Sequence, residues 1–161
     1  MNRKTLVAFF SISGRTKAVA TVLSEVVSGD LYEIIPKEPY SNSDVDWNDK
    51  NSRCTKEWKN ASIRPEIENP VSDMTQYDVI FVGYPIWYEK APSIIYTFLE
   101  SYDFSNKIIV PFSTSGGSIR GSMGKHLHKY CSKQTNWKTG KLFNHSHSKE
   151  EMKAWVEKLK L

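Results

Sequence analysis

Three short stretches of the chain are rich in Val, Ile and Phe and lack polar alternation: Leu6–Phe10, Val79–Gly83 and Lys107–Phe112. A strand with one wet face alternates apolar and polar residues; a strand covered on both faces does not. All three therefore read as buried parallel strands. Leu31–Ile35 is interrupted by Glu33 and reads as an edge strand, and Gly140–Phe143 reads as a fifth, weaker strand. Between them the period changes. Val19, Val22, Leu23, Val26 and Val27 fall on one helical face. Ile94, Ile95, Phe98 and Leu99 form a similar stripe behind Pro92, a residue suited to a first helical turn. Met123, Leu127 and Tyr130 predict a further helix. Ser148 and Glu151 have capping-box spacing ahead of Met152, Trp155, Val156 and Leu159. The polar stretch from Ser41 to Asn69 predicts one short helix near Arg53–Asn60, with Trp47 and Trp58 as its apolar anchors.

Strands alternating with helices imply a doubly wound α/β sheet, and right-handed crossovers leave few topologies. No repeat, low-complexity tract or linker divides the 161 residues, so a single domain over 1–161 is expected. With 39% hydrophobic residues, such a chain buries a core without a disulfide or metal staple. Its two cysteines, Cys54 and Cys131, stand far apart with no predicted base or partner, which points to a reducing cytoplasm and to no nucleophilic role. The apolar run after Arg3-Lys4 is too short for a signal-peptide core, and nothing approaches a membrane span. The net charge of +4 is spread along the chain without a nucleic-acid motif, so neither nucleic acid nor membrane is expected as a partner.

In a sheet of this kind, ligands sit beyond the carboxyl ends of the strands, at the switch in strand order. Three loops should meet there. The first, Ser11-Ile12-Ser13-Gly14-Arg15-Thr16, combines hydroxyls and a glycine with the start of a helix, whose free N–H groups and dipole favour an anion. It is neither a Walker loop nor a Gly-x-Gly-x-x-Gly turn. The second, Tyr84-Pro85-Ile86-Trp87-Tyr88, offers flat aromatic surface to a planar group. The third, Thr114-Ser115-Gly116-Gly117-Ser118, suits a backbone passing closely over a ligand edge. Each loop alone also reads blandly, as a capped turn, packed aromatics or a surface turn. Three bland readings at three converging sites are hard to sustain together.

Ser-x-Ser-Gly-x-Thr, Gly83-Tyr-Pro-Ile-Trp-Tyr and Thr114-Ser-Gly-Gly, with Arg64-Pro65 and Thr97-Phe98-Leu99-Glu100 in register, resemble the short-chain flavodoxin family. The resemblance implies a flavodoxin-like three-layer sandwich with a five-stranded parallel sheet in the order 2-1-3-4-5, and non-covalently bound FMN. It implies that Ser11, Ile12, Ser13, Gly14, Arg15 and Thr16 hold the phosphate. Pro85, Ile86, Trp87 and Tyr88 would line one side of the flavin, and Thr114, Ser115, Gly116 and Gly117 the other. Two positions depart from the family pattern. Glu89 stands where Gly is frequent, bringing a charge near the ring or pairing with a neighbouring lysine; Arg15 replaces a small polar residue.

The implied function is electron transfer through FMN, with a redox partner protein or with NAD(P)H and a small acceptor, in a monomer or homodimer. A quinone-reductase-like NAD(P)H oxidoreductase and a flavin-free phosphate-binding domain are the alternatives. A receiver domain shares the fold but would want an Asp where the chain has Gly83-Tyr84-Pro85. No catalytic acid, base or nucleophile is evident, and His145 and His147 lack the companions of a metal site.

Overall fold

The computed structural model describes residues 2–161. Its centre is made by three strands, β1 (Thr5–Phe9), β3 (Val79–Pro85) and β4 (Ile108–Thr114), with β2 (Asp30–Glu33) on the outer side of β1. Every pairing is parallel, and the order is 2-1-3-4-5. Successive residues feed opposite layers, as the missing alternation requires. Leu6, Ala8, Ile80, Val82 and Ile109 face the layer of α3 (Ser93–Glu100), whose Ile94, Ile95, Phe98 and Leu99 are buried. Val7, Phe9, Phe81, Val110 and Phe112 face α1 (Arg15–Val27) and α4 (Lys149–Leu159). The result is the expected three-layer sandwich. In α4, Ser148 Oγ accepts the Glu151 N–H at 3.1 Å while Glu151 returns a bond to the Ser148 N–H, a cap of about 1 kcal/mol.

The fifth strand differs from the expectation. Where one strand over Gly140–Phe143 was predicted, two short pieces, β5 (Asn136–Trp137) and β6 (Lys141–Leu142), both pair with β4. Pro111 explains the break. Ile109 and Ser113 turn their carbonyls to this side, accepting from the Lys138 and Phe143 N–H groups. Pro111 lies between them on the same edge, without an N–H to donate. The chain steps off the ladder there, and Gly124 packs over the proline ring, where a Cβ would stand 2.3 Å from its Cγ.

Two other expectations change. The segment at Met123–Tyr130 is a 3₁₀ turn over Lys125–Tyr130, because Gly124 at φ 73 breaks the helical path and leaves Met123 half exposed. The short helix α2 (Arg53–Lys59) forms as expected, but Trp47 (69% exposed) and Trp58 (44%) lie at the surface of the segment and not in its core. The buried anchors are Cys54, Thr55 and the carboxylate of Glu57.

Gly83 shows how tightly β3 and β4 meet. A Cβ there would stand 2.2 Å from Cζ of Phe112, whose ring is fully buried. Gly83→Ala should therefore destabilise the fold by about 1–3 kcal/mol through overpacking, read from urea unfolding. Unchanged stability would show that the Phe112 ring has room to turn aside.

Candidate functional site at the carboxyl edge of the sheet

Because β1, β3 and β4 run parallel and in register, Phe9, Gly83 and Phe112 stand side by side, and the chain leaves all three strands at the same edge. The three predicted loops do meet there. The Thr16 and Thr114 hydroxyls, both buried, are 2.7 Å apart and tie the first loop to the third. The Ile86 N–H donates to the Thr114 carbonyl at 2.9 Å and ties the second to the third.

The first loop is built to present amides. Gly14 takes φ 90, which places the chain at the head of α1, and the helix begins with no side-chain cap and no acid in its first turn. The Gly14 N–H donates to Ser11 Oγ at 3.2 Å, and Ala18 donates to the Gly14 carbonyl. Among the described residues no acceptor meets the N–H groups of Ile12, Ser13, Arg15 or Thr16. Unpaired amides at an uncompensated dipole end suit an oxyanion. The Arg15 side chain turns away from them: its guanidinium reaches the Asn144 carbonyl at 3.1 Å.

Between the second and third loops lies a cleft of about 590 Å³, within the range of cofactor sites; no residue of the first loop lines it. Ile86, Trp87, Tyr88 and Glu89 form one wall, and Ser115, Gly116, Gly117 and Ser118 the other. A Cβ on Gly116 or Gly117 would meet nothing within 4 Å, so these glycines border open space and leave room for a close ligand. Trp87 stands edge-on to Phe10 at 5.7 Å and to Tyr40 at 5.5 Å, and is half-buried. Tyr88 lines the cleft, yet its ring stacks on Trp58 at 4.6 Å. Glu89 pairs with Arg120 at 3.3 Å on the surface, so its charge is screened by a partner other than the neighbouring lysines.

Several site residues escaped the sequence. Val45, Trp47 and Cys54 complete the cleft from the long segment between β2 and β3. Gly121, at φ 81, packs on the Glu89 carbonyl, where a Cβ would stand 2.3 Å from the oxygen. Beneath them, Glu57 accepts two bonds from the Tyr40 hydroxyl, at 3.0 and 2.8 Å, and one from Arg53 Nε at 3.0 Å. Burial raises the Glu57 pKa against the pull of these partners. Nothing in the sequence marks a buried carboxylate on a helix of charged residues. Among the described residues no group of three His, Cys, Asp or Glu side chains is arranged to hold a metal ion, and burial pushes the Cys131 thiol up to about 12.

His126 Nε2 accepts the Ala91 N–H at 3.0 Å, just beyond the second loop. Accepting requires the neutral ring, and burial followed by the charge of Lys90 lowers the His126 pKa from 6.5 to about 4. Between those values the unfolded chain binds the proton and the folded chain does not. The contribution of His126 is thus complete above pH 6.5 and declines as pH falls toward 4. Urea unfolding should show wild type losing more stability across this interval than His126→Asn. Parallel pH profiles would show that the imidazole is not held neutral.

With this geometry in view, the chain's relatives can be set beside it. A family profile described as Flavodoxin matches residues 4–159. No curated relative matches the chain significantly in sequence. The crystal structure of a flavoprotein candidate from Bacteroides eggerthii DSM 20697 superposes with a TM-score of 0.90 at 40% identity, covering 99% of both chains. A second candidate, from Bacteroides uniformis ATCC 8492, gives 0.89 at 40% identity, over 96% of this chain and 98% of that one. The flavoprotein of Lactobacillus acidophilus NCFM, solved in complex with FMN, shares the fold with a TM-score of 0.66 at 23% identity over 99% of each chain. Among the described residues no helix is long and apolar enough to cross a membrane. The in-register family match over nearly the whole chain, on a sheet of order 2-1-3-4-5, places this protein in the flavodoxin family.

Proposed function

We propose that the chain binds FMN non-covalently at the carboxyl edge of the sheet and transfers electrons through it. The observation that carries this reading is the pairing of two unlike features on one edge. Four amides without acceptors at the head of α1 match a phosphate, and the cleft between Ile86–Glu89 and Ser115–Ser118, tied to that loop through Thr114, matches a planar ring. The flavoprotein of Lactobacillus acidophilus, which shares the fold, was solved with FMN.

In this reading Ser11, Ile12, Ser13, Gly14, Arg15 and Thr16 hold the phosphate, chiefly through backbone N–H groups, with the Ser13 hydroxyl free to donate. Arg15 supplies positive potential from the rim while its guanidinium stays on Asn144. Pro85, Ile86 and Trp87 bound one side of the ring, and Thr114, Ser115, Gly116 and Gly117 the other. The flavin, once bound, supplies the electron chemistry; the chain binds it, orients it and excludes water. Trp87 is suited to this because Phe10 and Tyr40 fix its plane. Two electron donors fit, a redox partner protein and NAD(P)H. Anaerobic addition of NADPH separates them, since bleaching without an added reductase identifies the nucleotide as donor.

Apo-protein titrated with FMN should quench flavin fluorescence at one equivalent. Ser13→Glu, which sets a carboxylate where the phosphate lies, should weaken binding by ~2 kcal/mol or more, roughly 30-fold, with an unchanged unfolding curve. A folded Ser13→Glu variant that binds FMN like wild type would remove the first loop from the site.

A further inference from the structure

The turn that walls the cleft is unusual in its backbone. Trp87 and Lys90 exchange N–H···O bonds of 2.8 and 3.0 Å, closing a two-residue turn over Tyr88 and Glu89. Tyr88 has φ 47 and Glu89 φ 66, the only consecutive non-glycine pair with positive φ among the described residues. Turns with this pair of signs favour Asn and Gly, because any larger side chain crowds its own backbone there. Such a conformation persists only where the surroundings over-determine it.

The surroundings do so chiefly through Tyr88. Its ring lies on Trp58, 4.6 Å between centroids and 21° between planes. Its hydroxyl donates to the Trp47 carbonyl at 2.6 Å and shares a bond of 2.7 Å with Thr55 Oγ1. All three contacts come from the segment between β2 and β3, and α2 within it is fixed from below by the buried Arg53–Glu57–Tyr40 network. Tyr40 also stands against Trp87. The same segment therefore grips the turn at its apex and braces the aromatic ring at its base.

We propose that Tyr88 is a positioning residue, not a stacking partner of the flavin: the Trp47–Trp58 segment uses its ring and hydroxyl to hold the strained turn in the shape that walls the cleft. This rests on the FMN reading for its functional consequence, but not for its structural one. The segment between β2 and β3 thereby acts on cofactor affinity through Tyr88, in addition to lining the cleft with Val45, Trp47 and Cys54.

Four variants test it: Tyr88→Phe, which keeps the ring and loses the hydroxyl; Glu89→Gly, which removes strain at one of the two positions; and Tyr88→Phe combined with Glu89→Gly or with Glu89→Ala. Tyr88→Phe should bind FMN about tenfold more weakly. Adding Glu89→Gly should restore most of that loss, because glycine takes the left-handed conformation at its position without strain. Adding Glu89→Ala should not, since it removes the same charge and keeps the Cβ. Hydrogen exchange gives the flavin-free readout. The Trp87 and Lys90 amides should lose protection in Tyr88→Phe and regain it with Glu89→Gly. Wild-type FMN affinity in Tyr88→Phe, or equal recovery by glycine and alanine, overturns the proposal. A wild type that binds no FMN defeats the cofactor reading alone, and the exchange pattern of the two amides then decides whether Tyr88 holds the turn.

Discussion

The parallel, in-register pairing of β1, β3 and β4 is the constraint on which everything else in this molecule depends. With Phe9 beside Gly83 and Gly83 beside Phe112, the three strands end within two residues of one another, and the residues that follow each are delivered to one edge. Gly83 permits this closeness by having no side chain where the Phe112 ring crosses. Once the strands end together, two bonds at Thr114 are enough to knit their loops: its hydroxyl to Thr16 and its carbonyl to Ile86. A slip of one residue in either pairing would move the core side chains to the wrong layer and separate those loops.

The scaffold and the site differ in how their polar groups are satisfied. Below the edge, the central strands β1, β3 and β4 are buried and closely packed. At the edge, amides stand without acceptors and two consecutive non-glycine residues take left-handed backbone. Such features lower stability where they occur and are retained where a ligand or a neighbouring segment completes them. Here the completion from within comes from the β2–β3 segment. Its buried Glu57 is satisfied by Tyr40 and Arg53, and Arg53 also lies over the Tyr40 ring at 3.7 Å. The cleft is thus walled by short strand-end loops and roofed by a longer segment that carries its own small polar core.

Much of this was legible in the sequence, for a physical reason. Strands covered on both faces and helices with one buried stripe leave strong periodic signals, so β1, β3, β4, α1, α3 and α4 stand out. The capping box at Ser148 and Glu151 is a local device that needs no partner elsewhere, and it forms as expected. Features that depend on a distant neighbour were hidden. Pro111 interrupts the fifth strand because its edge faces β5 and β6, and Gly124, at the start of the 3₁₀ turn, packs over that proline. Trp47 and Trp58 stand out in the sequence because they are large and apolar, whereas the buried residues of α2 are Cys54, Thr55 and Glu57, a carboxylate with two partners. In the sequence Glu89 has Lys90 beside it, while Arg120, distant in sequence, is its partner in the fold.

The central claim is that one ligand bridges the amides of the first loop and the walls of the cleft. An amide NMR titration of the apo-protein with FMN tests it directly. The expected result is a set of large, saturable shifts at Ile12, Ser13, Arg15 and Thr16 together with shifts at Ile86–Glu89 and Ser115–Ser118, all following one binding curve. Shifts confined to another surface, such as the pocket around Asn144 and His145 between α1 and α4, or cleft shifts that leave Ile12–Thr16 unmoved, would contradict it.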